Sequence, residues 1–343
     1  MPTYLVFILY LFAAAILAFV STKLADYVDL LDKKTNISGA FIGGVILAAV
    51  TSLPELITSI SAIFIVGEPS LILGNVLGSN VFNLCIFGGA TFLAVRSFAK
   101  CKVGKAHVAT IICALVAYVL LGIVFWVGTG ETALGQIPVV NLNVVSLAIL
   151  VVYFISFKFL SSDDSTNEEE DTSPLTVKQI VIRFSLMAIA LVAMSVIVTL
   201  LTDVLAERWN LDASLAGAIF LGVATSLPEL VSSITLIRHR NFNAMVGNVV
   251  GSNMFNLTIF SIADIFSGQN IYPSATTVSA PTKNMLIFGA LSSLLAVATI
   301  LIQNRCTAKG RGDKAVLKVW YVASGLMIIG SYLLSLILTE PLF

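Results

Sequence analysis

The sequence is short of charge. Of its 343 residues only 11% are Asp, Glu, Lys or Arg, against 58% hydrophobic, and the mean hydropathy is +0.99. Soluble globular chains are about 45–50% apolar and about 25% charged. The shortage therefore excludes an ordinary water-soluble domain and makes a lipid bilayer the natural solvent. No soluble catalytic domain fits around the apolar runs, so an enzyme is not expected. Net charge is zero, which excludes a strongly basic nucleic-acid binder. Metal-binding side chains are scarce too. Cys85, Cys101, Cys113 and Cys306 show no CxxC spacing, which argues against a zinc site or a disulfide frame. His107 and His239 stand beside basic residues and are expected in loops. No cofactor motif is present, and the pattern carries no signal for an oligomeric state.

What the chain does have is length of apolar sequence. A spanning helix needs about 20 mostly apolar residues, and ten such segments are predicted. They lie near 3–22, 38–65, 70–95, 107–127, 142–160, 177–202, 213–237, 243–266, 284–304 and 316–338. The first lacks the basic start of a signal peptide, so it counts as a retained span. Lysine and arginine collect in cytoplasmic loops. With the N-terminus outside, 17 of the 19 basic residues fall in inner loops, leaving only Arg208 and Lys283 outside. Both termini are then outside, in a multi-pass protein of the plasma (inner) membrane. The acidic run SSDDSTNEEED from Ser161 to Asp171 becomes a cytoplasmic linker. It lacks the alternating ligands and glycine of a calcium-binding loop. Residues 1–160 and 176–343 form two halves, and 161–175 joins them.

The halves share sequence. TSLPEL occurs at 51–56 and again at 225–230, and GNVLGSNVFNL at 74–84 matches GNVVGSNMFNL at 247–257. Five spans per half is an odd number, so the second half enters the membrane from the opposite side. The expected fold is an all-α membrane protein of ten helices arranged as two inverted five-helix repeats. Transporters of this type hold their ion site at the repeat interface near the midplane.

Glu55 and Glu229 sit mid-span in these repeats. An ionised group there costs at least about 2.5–3.5 kcal/mol. All other charged residues are expected in loops or near span ends, so no membrane-depth Lys or Arg offsets the two carboxylates. Bound cations are the economical counter-charge. Thr51, Ser52, Thr58 and Ser59 lie three or four residues from Glu55, on one helical face; Thr225, Ser226, Ser232 and Ser233 repeat this around Glu229. Pro54 and Pro228 each remove a helical hydrogen bond, which frees the carbonyls of Val50 and Ala224 and leaves those of Thr51 and Thr225 exposed too. Hard cations favour such oxygens. On the second block, Asn75, Ser79 and Asn83 form one polar stripe, as do Asn248, Ser252 and Asn256. Gly74 with Gly78, and Gly247 with Gly251, allow close helix approach. Asn75, Asn80, Asn248 and Asn253 are open to two readings, as ligands or as helix-stitching hydrogen bonders.

The doubled TSLPE and GNVxGSNxxN blocks resemble the alpha repeats of the sodium/calcium exchanger family, within the wider cation/calcium antiporters, over essentially the whole chain. The resemblance implies two inverted five-helix repeats around four small-ion sites, with the first and sixth helices sliding. It makes Glu55 and Glu229 the shared central ligands. Thr51, Thr225, Ser52 and Ser226 would serve flanking Na⁺ sites, Ser79 and Ser252 would join from the third and eighth spans, and Asn83 and Asn256 would close the middle. The transported ions would be Ca²⁺ and Na⁺, competing for overlapping ligands. Val50 and Ala224 stand where the family commonly has glycine. Asn256 stands where several relatives carry aspartate, which leaves two formal charges and argues against a potassium-dependent variant. Ser79-Asn80 and Ser252-Asn253 favour sodium over proton coupling. An H⁺/Ca²⁺ or other divalent antiporter, a cation channel and an intramembrane hydrolase are the alternatives.

Overall fold

The computed structural model describes residues 2–61, 63–64, 70–101, 103–127, 136–137, 142–161, 173–209, 224–267, 271–272, 278–309, 314–338 and 342. Among these, nine helical segments are long and apolar enough to cross a membrane. They are α1 (Thr3–Lys34), α2 (Gly39–Ser61), α3 (Ser70–Leu93), α4 (Lys105–Val127), α5 (Val144–Ser161), α6 (Val177–Arg208), α8 (Phe242–Ser267), α9 (Ala280–Ala308) and α10 (Ala315–Ile337). Between α6 and α8 lies the shorter α7 (Leu227–Arg238). The first half of the seventh expected span, residues 213–223, is outside the described residues, as is the linker at 162–172. Among the described residues the membrane protein is all-helical apart from one antiparallel pairing between α4 and α5, where Gln136 faces Asn143.

Three helices overrun their expected ends, α9 by four residues at each end. α1 continues through Lys23, Asp26, Asp29, Asp32 and Lys33, residues expected in a loop. At 1.5 Å per residue its 32 residues span about 48 Å. The charged residues do not end the helix because they pair along it: Lys23 Nζ lies 3.0 Å from Asp26 Oδ2, and Lys33 Nζ lies 3.0 Å from Asp29 Oδ2. α6 begins with a capping box, Thr176 and Gln179 satisfying each other's backbone N–H groups. It then runs to Arg208 rather than residue 202.

A place near a span end does not put every charged residue in water. Asp29, Asp32 and Asp264 lie within helices and are buried. His107 is likewise not in a loop. It is buried in the first turn of α4, its Nε2 2.8 Å from Asn243 Oδ1, which also accepts the Gly104 N–H.

α8 is the most deeply buried span, and α5 and α6 are the least. Two apolar clusters flank the centre. One holds Leu84 and Phe87 from the second half of α3 with Phe242 and Val249 from the first half of α8. The other holds Ile72 and Val76 from the first half of α3 with Met254 and Phe260 from the second half of α8. The polar stripes of α3 and α8 lie at the boundary between them. Small residues set the closest crossing. Residues Ile42–Leu47 of α2 form a π-helical stretch, and a Cβ on Gly251 of α8 would meet the Gly44 carbonyl. Lipid is as apolar as leucine, so such backbone approach, rather than the hydrophobic effect, holds spans together.

Candidate cation site

Both TSLPEL copies break their helix in the same way. Ser52 has φ −92° and ψ 3°, and Ser226 has φ −91° and ψ 11°. In each, the proline follows two residues after the serine, so no backbone N–H exists to carry the helical ladder through the turn. The break leaves the serine hydroxyls free to point across the protein rather than back along their own helices.

Each glutamate is held by the serine of the opposite half. Ser226 Oγ donates to Glu55 Oε1 at 3.3 Å, and Ser52 Oγ donates to Glu229 Oε1 at 3.2 Å. Ser79 Oγ adds a second donor to Glu55 Oε1 at 3.3 Å and lies 3.2 Å from Ser226 Oγ. On the other side, Thr51 Oγ1 lies 3.4 Å from both Ser252 Oγ and Asn248 Oδ1. Thr225 is buried beside its own break. Both glutamates are fully buried. Among the described residues neither has an ion-pair partner, and Glu55 Oε2 and Glu229 Oε2 have no hydrogen-bond partner.

The asparagines divide by position. Asn75 Nδ2 donates to the Glu55 carbonyl at 3.2 Å and to Ser59 Oγ at 3.1 Å; Asn248 Nδ2 donates to Ser232 and Ser233 Oγ at 3.2 and 3.1 Å. Both brace the helices that carry the glutamates. Asn80 Nδ2 donates to the Asn253 carbonyl and Asn253 Nδ2 to the Asn80 carbonyl, each at 3.2 Å. This crossed pair ties α3 to α8, and Tyr118 Oη accepts a further bond from Asn80 at 3.1 Å. Asn83 and Asn256 differ from both sets: each is fully buried with neither carboxamide atom bonded among the described residues. Buried polar atoms are ordinarily satisfied, so these orphan oxygens and the two glutamate oxygens form a set in want of a ligand. The set is rich in carboxylate and carbonyl oxygen and, among the described residues, holds no cluster of three His, Cys, Asp or Glu. It suits a hard cation better than a soft one.

Of the two readings open for Asn80 and Asn253, the structure shows the helix-stitching one; that the two cross to each other's backbone and that Tyr118 joins them was missed by sequence reasoning. The available signal was that both asparagines sit at matching places in the doubled motif. The Asp264 carboxylate, which accepts the Asn143 N–H at 2.6 Å, left no such signal.

The model of the sodium/calcium exchanger protein family matches residues 4–162 and 180–339. The chain belongs to the sodium/calcium exchanger family. This exchanger is 26% identical over 331 residues to the inner membrane protein YrbG of Escherichia coli (strain K12), covering 93% of one chain and 94% of the other. It is 30% identical over 109 residues to the human sodium/potassium/calcium exchanger 3, a match spanning 32% of this chain and 17% of that one. Its fold resembles that of the sodium-calcium exchanger NCX_Mj soaked with 2.5 mM Na⁺ and 0.1 mM Sr²⁺. The TM-score is 0.68 at 18% identity, over 96% of this chain and 99% of that one. Membership makes it a membrane antiporter rather than an enzyme.

Proposed function

We propose that the protein exchanges Na⁺ for Ca²⁺ by alternating access. Na⁺ and Ca²⁺ bind overlapping oxygens around Glu55 and Glu229, and the Na⁺ gradient drives Ca²⁺ across the membrane. The observation that carries this is the pair of fully buried glutamates, each with one oxygen bonded by the other half's serine and one oxygen unbonded. Ca²⁺ is held at the centre by Glu55, Glu229, Asn83 and Asn256. Na⁺ uses the hydroxyls of Thr51, Ser52, Ser79, Thr225, Ser226 and Ser252 on either side. One Ca²⁺ or several Na⁺ neutralise the two carboxylates. An empty site would carry about two charges through a low-dielectric barrier, where electrostatic energy rises steeply as ε falls. The empty carrier therefore does not switch, and exchange is obligatory.

Ten spans in two inverted repeats fit this mechanism. The matched helix breaks, the crossed Asn80–Asn253 pair, and the opposite distribution of α3 and α8 between the two apolar clusters support a two-fold relation. Both termini lie outside and the acidic linker lies in the cytoplasm, as the basic residues require. Asn256 leaves two site charges rather than three, which favours potassium-independent exchange even though relatives include potassium-dependent exchangers. The test is Ca²⁺ uptake into reconstituted vesicles under a Na⁺ gradient, a pH gradient, or neither. The proposal requires uptake under the Na⁺ gradient alone. Uptake driven by the pH gradient without Na⁺ would assign proton coupling, and continuous single-channel currents would assign a channel.

A further inference from the structure

Asp29 and Asp32 are buried carboxylates of α1 that the ion site does not use, at 3% and 2% exposure. Both face Asn241, in the connection from α7 to α8. Asn241 Nδ2 donates to Asp29 Oδ1 at 3.0 Å and to Asp32 Oδ2 at 2.8 Å. Asn241 Oδ1 caps α8 by accepting the Ala244 N–H at 3.0 Å. The backbone aims this side chain. α7 ends with Asn241 N–H bonded to the Leu236 carbonyl and Arg240 N–H to that of Ile237, a Schellman arrangement. Arg240 takes the left-handed position that glycine usually fills, at φ 59°. The neighbours add an ion pair and a hydrogen bond: Lys33 Nζ lies 3.0 Å from Asp29 Oδ2, and His239 Nε2 lies 2.9 Å from Asp26 Oδ1.

The same end of α8 is closed. A Cβ on Gly247 would meet Gly44 N at 2.8 Å and the Ala40 carbonyl at 3.0 Å. Asp203, which stands in α6 where Asp29 stands in α1, is exposed. The carboxylate clamp and the closed glycine crossing lie at the same end of α8.

We propose that Asn241 is a positioning residue that latches α1 to α8 and holds the cytoplasmic end of the transport path shut. Its two N–H groups stand between two like charges. When they leave, Asp29 and Asp32 lose their shared donor and α1 parts from the α7–α8 connection, so that the Gly44–Gly247 crossing opens to the cytoplasm. The latch rests on the alternating-access reading and on the orientation given by the basic residues.

Asn241→Asp tests it. Aspartate keeps the α8 cap, since it is as good an N-cap as asparagine, but it removes both donors and adds a third carboxylate. Asp32→Asn in the same chain returns a donor opposite the new acceptor. Amide hydrogen exchange in residues 39–47 and 242–251 is the first readout. The single variant is expected to exchange about tenfold faster there and nowhere else, and the double variant to recover. In vesicles, the cation concentration for half-maximal exchange should fall at the cytoplasmic face and rise at the outer face, each by about tenfold, as a shift between two conformers requires. Amide exchange needs no transport, so it judges the latch even if the transported ions are other than Na⁺ and Ca²⁺. Loosening spread over the whole bundle, unchanged protection of 39–47, or a double variant that does not recover would overturn the proposal.

Discussion

Gly251 and Gly89 sit differently against the other helices: Gly251 lies at the crossing of α2 with α8, whereas no described residue lies within 4 Å of a Cβ on Gly89. Replacing each by alanine should therefore shift stability in opposite directions. Alanine at any helix-interior glycine gains about 0.5–1 kcal/mol, because it restricts the unfolded chain. At Gly89 no described residue lies within 4 Å of the new Cβ, so that gain stands alone. At Gly251 the Cβ lands on the Gly44 carbonyl and within 2.7 Å of Gly44 Cα. Backbone lies on both sides of this contact, so no side chain can swing away. α2 and α8 must separate, and overpacking of this kind costs about 1–3 kcal/mol or more. The net loss is about 1–2 kcal/mol. Melting of the purified protein in detergent, followed by tryptophan fluorescence, should fall by several degrees for Gly251→Ala and rise by about 1–2 °C for Gly89→Ala, at roughly 2 °C per kcal/mol. If Gly251→Ala melts with the wild type, the helices do not touch there. If Gly89→Ala loses as much as Gly251→Ala, the loss does not come from the contact of α2 with α8.

Other changes follow from named bonds. Ser52→Ala and Ser226→Ala each remove one donor from the opposite glutamate, and bonds to charged groups contribute about 1.5–3 kcal/mol; the Na⁺ concentration for half-maximal Ca²⁺ uptake should rise about tenfold or more in each. Asn80→Ala takes the donors from the Asn253 carbonyl and Tyr118 Oη, leaving buried acceptors unsatisfied at about 1–3 kcal/mol each. Its melting temperature should drop by several degrees, whereas Ser59→Ala, which removes only one of the two acceptors of Asn75, should drop less. Arg240→Gly relieves a left-handed residue that costs about 1–2 kcal/mol, so the protein should melt higher with transport unchanged.

Much of the fold was legible because hydropathy and repetition are long-range signals in one dimension. Nine of the ten expected spans appear within a few residues at most ends, and both copies of the motif place their serines and glutamates together. The ends of α1 were illegible for a physical reason. A hydropathy window stops at Lys23, but Lys23 pairs with Asp26 and Lys33 with Asp29 on the helix surface, so charge did not force a loop. The burial of Asp29 and Asp32 depends on Asn241, more than 200 residues away, and no local pattern announces it. The asparagines teach the same lesson. Asn80 and Asn83 lie three residues apart in one motif, yet one crosses to a neighbouring backbone and the other keeps both carboxamide atoms unbonded. Only the crossing of α3 with α8 decides which is which. His107 was misplaced because a basic neighbour, Lys105, suggested water, while the ring itself turns inward to Asn243.

The most direct test of the ion site is ⁴⁵Ca²⁺ uptake by reconstituted vesicles loaded with Na⁺ and diluted into Na⁺-free medium, measured beside Glu55→Gln and Glu229→Gln. Glutamine keeps the size of each side chain and removes its charge. The account predicts uptake by the wild type that depends on internal Na⁺ and disappears in both variants, with each variant still folded. Uptake that persists in either variant at the wild-type rate would contradict it, because the transported charge would then be carried by other residues.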